Sequence, residues 1–362
     1  MKKNRILLTT YCGNNYGSLL QAFAMVKSLE KLGFNVTIIE EKPFIKGEPL
    51  STLLHIFKIA LFHPVVFTHF LRARKIANKI NISNEQIENF NYFKENFLPI
   101  KIVTFREAKK DASQPNIHKC VCGSDQIWNG EAINLKRFYF LTFSKREHNL
   151  AYAPSFGREN VASYNYKKYK KLIKNIGTIS LREPNFLVKT ENIVCDPTLL
   201  LTKEEWLQFL GTEQRSYGHY VLVYLLDSPS QKCLNFIIQE HRKNKKIKII
   251  GHSISVKELD TAILDCKVED FPSLFFNAES VITDSYHGCI FSIIGKKQFV
   301  FFNRNYVVGK PQNIRFESLF NKLGINITEG VKSAIKYSKI NEQIERFRTI
   351  SNNYLLEGLQ ND

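Results

Sequence analysis

The sequence predicts an α/β protein made of two βα domains that face each other across a cleft. Three observations lead there. Short apolar runs alternate with stretches of helical periodicity from residue 5 to about residue 323. The chain has 362 residues, more than the roughly 250–300 at which a single hydrophobic core stops growing. Clusters of polar residues recur just beyond the apolar runs, where open α/β sheets hold their ligands. The texture changes after residue 201, and a polar linker runs from Gly211 to Gly218. The expected division is therefore a domain over 1–210, with a helical insertion near 49–97, and a second domain over 211–362 that ends in a closing helix.

The first βα unit opens with the strand Ile6-Leu7-Leu8-Thr9-Thr10 and the turn Tyr11-Cys12-Gly13-Asn14-Asn15-Tyr16-Gly17. A helix begins at Ser18, with Leu19, Leu20, Phe23, Val26 and Leu29 at helical spacing, and Gly33 ends it. Val36–Ile39 is the second strand. The turn suits a phosphate, because glycines let backbone approach a ligand closely, but it lacks the full G-x-G-x-x-G pattern of a dinucleotide site. An ordinary strand–helix loop reads equally well.

Residues 49–84 contain no acid and are rich in apolar residues, with Lys58, Arg72, Arg74, Lys75 and Lys79 among them. Pro64 should divide the segment into two helices. A basic amphipathic pair can lie on an anionic membrane surface; the alternative is an insertion packed on the body of the domain. A helix follows over Glu85–Phe97. Strands are expected at Lys119–Cys122, Leu150–Ala153, Thr178–Leu181 and Asn192–Cys195. A lysine-rich helix over Tyr164–Ile176 reads as a solvated face. After a helix at Thr202–Leu210, the second alternation has strands at Tyr220–Leu226, Ile247–Ile250, Ser280–Ile282 and Gln298–Phe302. Its helices fall at 230–243, Phe271–Asn277, Ile290–Gly295, 313–323 and 338–356.

Hydrophobic residues at 44% and charged residues at 23% are those of a globular protein. No run is uniformly apolar over the length of a membrane span. Seven cysteines, an odd number without metal-type CxxC pairs, point to reduced thiols and a cytoplasmic setting. Cys120 and Cys122 should share one face of a strand. The formal charge of +17 implies an anionic partner. Nucleic acid is the least favoured, because the basic residues are scattered and no nucleic-acid module is visible.

The polar clusters follow the strands in order: Asn15-Tyr16-Gly17-Ser18-Leu19-Leu20-Gln21-Ala22-Phe23, Gly123-Ser124-Asp125-Gln126-Ile127-Trp128-Asn129, Tyr152-Ala153-Pro154-Ser155-Phe156-Gly157, Ser180-Leu181-Arg182-Glu183, Asp196-Pro197-Thr198-Leu199-Leu200 and Thr283-Asp284-Ser285-Tyr286-His287-Gly288. Together they resemble the polysaccharide pyruvyl transferase family, over about residues 5 to 325. Arg315, in Asn313-Ile314-Arg315-Phe316, resembles a further family position. The resemblance implies two Rossmann-like domains in a glycosyltransferase-B-like arrangement. It implies phosphoenolpyruvate as donor substrate, with no cofactor, and a sugar of a surface glycan as acceptor. The product would be a cyclic pyruvate ketal, with phosphate released. One departure stands out: several members carry Asp-Arg-Leu-His-Gly where this chain has Asp284-Ser285-Tyr286-His287-Gly288. That arginine is expected to bind the donor's anionic groups, and Ser285 supplies no charge.

Such a reaction needs a proton for the donor's methylene carbon, a base for the attacking hydroxyl, and cations or N–H groups for phosphate and carboxylate. By its place in the family motif His287 is the expected acid/base. Asp284 would orient His287 or cap the following helix, and Ser285 is an alternative cap. Ser285 and Gly288 belong to the expected donor site at the helix start. Arg182 is the first candidate for the donor's anionic groups, since a guanidinium fork suits carboxylate and phosphate; a salt bridge to Glu183 is the alternative. Arg315 is the second, and could replace the charge missing at Ser285. Asn14, Asn15, Tyr16, Asp125 and Gln126 are the expected acceptor contacts, although Ser124 and Asp125 could instead cap a helix. Trp128 reads as core and His252 as surface. No Asp-x-Asp metal pair is present, and this chemistry needs no metal. The expected location is the cytoplasm, with peripheral contact at the inner membrane face if the acceptor is lipid-linked. The rival readings are a nucleotide-sugar-dependent glycosyltransferase and a glycan-binding scaffold.

Overall fold

The structure, a computed structural model, describes residues 4–42, 50–77, 82–133, 135–212, 218–243, 246–250, 265–304, 313–332 and 334–360. His252, Lys79 and most of the 211–218 linker lie outside the described residues. In the first half, β1 (Arg5–Thr9), β2 (Asn35–Glu41), β3 (Ile100–Val103), β4 (Ile117–Cys122), β5 (Asn149–Ala151) and β6 (Thr178–Ile179) form a sheet in the order β3-β2-β1-β4-β5-β6. In the second, β7 (Val221–Tyr224), β8 (Ile247–Ile250), β9 (Ser280–Thr283) and β10 (Gln298–Phe301) run in the order β10-β9-β7-β8. Every strand pairing within the two sheets is parallel. The fold is therefore α/β with two Rossmann-like units, and the strand order reverses between β1 and β4 and between β7 and β9. Such switch points open a crevice at the carboxyl ends of the strands.

The helices of the first half are α1 (Tyr16–Lys31), α2 (Leu50–Phe62), α3 (Pro64–Ala77), α4 (Asn84–Phe97), α5 (Phe105–Ala112), α6 (Ser163–Ile173), α7 (Pro197–Leu200) and α8 (Lys203–Leu210). Those that follow are α9 (Gln231–Arg242), α10 (Phe271–Asn277), α11 (Tyr286–Ile294), α12 (Ile314–Leu323) and α13 (Tyr337–Gln360). Local chemistry sets several boundaries. The Asn15 side chain accepts from the Ser18 N–H, so α1 starts two residues before the expected Ser18. Pro64 begins α3, which divides the insertion as its missing N–H and fixed φ require. Thr202 and Glu205 form a capping box on α8.

The structure departs from the expected elements in two places. The strand expected at 192–195 is only a parallel bridge between Leu181 and Ile193. The chain leaves the sheet there, and Arg182 and Asp196 meet as a buried ion pair. The pair β3 and α5 was not anticipated. Lys101 and Ile102 of that edge strand are exposed, so it shows neither an apolar run nor a clean alternation.

One aromatic core joins the halves. Tyr16 of α1 stacks on Phe271 of α10 at 4.7 Å, and Phe23 stacks on Trp206 at 5.8 Å, which in turn meets Phe291 of α11 at 5.2 Å. Each such pair adds about 0.5–1.5 kcal/mol beyond its buried area. The last helix returns to the first sheet: Tyr354 donates to the Ala151 carbonyl, and Ser351 accepts from the Cys195 N–H. All seven cysteines are buried thiols, with Cys120 and Cys122 in one core cluster.

Candidate active site

The polar clusters converge where the carboxyl ends of the two sheets meet. On the first sheet, Gln21 lies fully buried on the apolar helix α1. Its Nε2 donates to Thr10 Oγ1 beyond β1, and its Oε1 accepts from the Ser124 N–H beyond β4. This ties the two loops of the switch point together. Asp125 adopts φ 67°, a left-handed conformation that Asp tolerates better than most residues. Its Oδ2 accepts from Ser18 Oγ at 2.7 Å and its Oδ1 from the Gln126 N–H at 2.8 Å.

Behind this loop is a buried charge cluster. Arg182 Nη1 donates to Asp196 Oδ2 at 2.7 Å, its Nε lies 3.7 Å from Glu183 Oε2, and its Nη2 lies 4.0 Å from Asp125 Oδ1. Asp196 Oδ1 accepts from both the Thr198 N–H and Thr198 Oγ1. Burial alone would raise the Asp196 pKa. The charges of His287 and Arg182 and the Thr198 N–H override it and hold the carboxyl well below the usual range. Asp196 is thus a fixed negative charge.

His287 comes from the other sheet and completes this cluster across the cleft. Its Nε2 stands 3.5 Å from Asp196 Oδ2, an ion-pair distance without a formed hydrogen bond. The opposite edge of the ring rests on α1: a Cβ at Gly17 would fall 2.1 Å from His287 Nδ1. Only glycine lets the helix approach the ring this closely.

The cleft has a volume of ≈ 370 Å³, a size typical of small-ligand sites. Asn15, Ser18, Asp125 and Gln126 line it from the first half, and Tyr286, His287, Arg304 and Arg315 from the second. The Tyr286 ring contacts two guanidinium groups, with Arg182 Cζ 4.5 Å and Arg315 Cζ 5.7 Å from its centroid.

Several expected site residues stand elsewhere. Asp284 neither orients His287 nor caps α11. Its carboxylate accepts from the Leu226 and Asp227 N–H groups and so bridges the β7/β9 switch point. Burial pushes its pKa up to about 6, against the lowering pull of Arg304 and the two N–H groups. Ser285 is the cap, accepting from the Gly288 N–H at 3.3 Å. Gly288 is a packing position, where a Cβ would meet Thr283 Oγ1 at 2.3 Å. Arg182 is buried behind the cleft, does not line it, and is held by carboxylates. Tyr16 is no surface contact: it is buried, and its hydroxyl donates to Gln86 Oε1 and the Cys266 carbonyl. Asn14 is exposed and accepts from Lys94 Nζ. Trp128 is fully buried, as expected.

Four residues of the site were missed: Asp196 as the partner of His287, Ser18, Tyr11 and Arg304. Arg304 carried a usable signal, since it closely follows the carboxyl end of β10. Tyr11, in the first turn, is half-exposed and lines the cleft.

Comparisons with known proteins complete the picture. No match was found among curated proteins. Solved structures with a similar arrangement include Acinetobacter baumannii MurG, with 12% identity over 99% of this chain and 95% of that one and a TM-score of 0.43. The UDP-GlcNAc 2-epimerase of Neisseria meningitidis, bound to UDP-GlcNAc, shares 9% identity over 99% and 100% with a TM-score of 0.48. The glycosyltransferase SnogD of Streptomyces nogalater shares 9% over 98% and 96% with a TM-score of 0.44. The family model described as polysaccharide pyruvyl transferase matches residues 15–306, a span that takes in the α1 turn, the Asp125 loop, the Arg182–Asp196 cluster and His287, and the chain belongs to that family.

Proposed function

We propose that the protein transfers pyruvate from phosphoenolpyruvate to a sugar of a surface-polysaccharide precursor, forming a cyclic ketal and releasing phosphate. The observation that carries this reading is His287, set against the fixed charge of Asp196 in a cleft that also holds Arg304 and Arg315. In the first step the imidazolium of His287 gives its proton to the donor's methylene carbon, which becomes a methyl group. A sugar hydroxyl adds to the adjacent carbon as it becomes electron-poor, and its proton returns to the ring. In the second step the C–O bond to phosphate breaks, and a second hydroxyl of the same sugar attacks that carbon. This hydroxyl's proton leaves with the phosphate. Asp196 stabilises the charged ring without taking the proton itself.

Arg304 and Arg315 supply the positive charge for carboxylate and phosphate that Ser285 lacks. Asn15, Asp125 and Gln126, on the facing wall, meet the acceptor hydroxyls, and Tyr11 offers a ring face to the sugar. The test is phosphate release from phosphoenolpyruvate with a panel of methyl hexosides, with mass analysis for a carboxyethylidene product. Release that depends on an acceptor, and that falls about 10²–10⁴-fold in His287→Ala, is the expected result. Turnover of a nucleotide sugar instead, or full activity in the variant, would sink the proposal.

A further inference from the structure

We propose that the α2–α3 hairpin and the lysine face of α6 dock the protein onto an anionic lipid surface. The two helices meet at His63 with a bend of 111°. Among the described residues no single helix is long and apolar enough to cross a membrane. The hairpin instead turns its apolar side chains outward: Phe57 is 64% exposed, Phe62 69% and Val65 65%. Among its described side chains only Ile59 is buried. An insertion that served only to pad the domain would bury this face, since apolar area left in water costs about 25 cal/mol per Å².

The hairpin is fastened at its inner side. His55 Nε2 bonds to Asn165 Oδ1 at 2.9 Å, and the His63 ring lies 5.4 Å from that of Tyr164. Both partners belong to the first turn of α6. Asn165 also donates to the carbonyls of Gly130 and Ala132, next to Asn129, which lines the cleft. The exposed face therefore stands in fixed relation to the cleft.

Charge names the occupant. No acid occurs over residues 49–84 or within α6. Lys58, Arg72 and Lys75 of the hairpin are exposed, as are Lys167, Lys170, Lys171 and Lys174 at α6. Lys58 of α2 and Lys168 of α6 lie near this joint: burial lowers the His55 pKa, and their ammonium groups lower it further against its bond to Asn165. Exposed aromatic and aliphatic side chains accompanied by basic residues and by no acid fit the headgroup–acyl boundary of an anionic leaflet, with the lysines on lipid phosphates. A second copy of the chain would oppose these lysines with its own. On the transferase reading above, docking sets the cleft beside the leaflet and fits an acceptor sugar carried on a lipid; that last step alone rests on the reading.

The test is co-sedimentation of the full chain with vesicles of phosphatidylcholine alone or with roughly one-third phosphatidylglycerol. Retention on the anionic vesicles should be about ten-fold higher and should fall at high salt. The double variants Phe57→Ser/Phe62→Ser and Lys170→Glu/Lys171→Glu should each lose about ten-fold of this binding while melting as the wild type does. Equal retention on neutral vesicles, or both variants binding like wild type, overturns the proposal. So does a lipid-free dimer that either double variant dissociates, which would give the face to a second copy. Vesicle binding needs no phosphoenolpyruvate, so a protein that docks but releases no phosphate overturns the transferase reading alone.

Discussion

Two buried aspartates, one in the site and one behind it, illustrate how position decides what a carboxylate does. Asp196 is surrounded by Arg182, His287 and the Thr198 N–H and stays ionised despite complete burial. Asp284 has only two backbone N–H groups and the flank of Arg304, and burial wins, raising it from 3.8 to about 6. The consequence for stability has a definite sign. Between those values the folded protein keeps a proton on Asp284 that the unfolded chain has lost, so this carboxyl makes stability fall as pH rises through that window. The full effect is up to about 3 kcal/mol. Asp284→Asn removes the titration, so its stability relative to wild type should rise by up to that amount between about pH 4 and pH 7. Urea midpoints across that range measure it, and a wild-type–variant difference independent of pH would refute the assignment. His287 and Asp125 were readable as site candidates because they follow apolar runs, and Arg315 through its likeness to a family position. The pairing of His287 with Asp196 was not, because 91 positions of chain separate them and only the closed fold brings them together.

At the scale of elements, α1 does the most for the site. Its cap residue Asn15 lines the cleft, Ser18 holds Asp125, Gln21 ties β1 to β4, and Gly17 receives the His287 ring. In an ordinary helix, replacing glycine by alanine stabilises by about 0.5–1 kcal/mol. Here the added methyl would enter the ring's space, and the imidazole or the helix must move. Gly17→Ala should keep its far-ultraviolet spectrum and lose about 100-fold in turnover, as a misplacement near 1 Å can cause. Wild-type turnover in a folded variant would show that the ring's seat on α1 does not matter. Much at this scale could be read in advance. The first turn, the break at Pro64 and the strand–helix unit at 280–294 all carried local signals. The edge strand β3 did not, since only Val103 of its four residues is buried. Tyr16 was misread as a sugar contact because its neighbours in sequence are polar, whereas its neighbours in space are Phe90, Phe271 and Tyr224.

At the scale of the molecule, sequence order and spatial order part at the end of the chain. The helix α13 follows the second sheet yet packs on the first: Gly358 lies against Leu150, and His118 Nε2 bonds to the Leu359 carbonyl. A chain ending at residue 336 should therefore lose protection first around β4 and β5, not in the second sheet. Limited proteolysis with mass mapping will tell, and early cuts confined to the second sheet would contradict it. Sequence alone determined the α/β alternation, the split insertion, the family and the set of strand-end loops, because each is written in local periodicity, turn residues or contiguous motifs. Only the tertiary structure decided which of those loops share a cleft, that Arg182 serves as a buried counter-charge while Arg304 and Arg315 line the open site, and that Asp196 rather than Asp284 faces His287. Those outcomes depend on distance and burial between residues far apart in the chain, and the strength of a charge is set by what surrounds it in space.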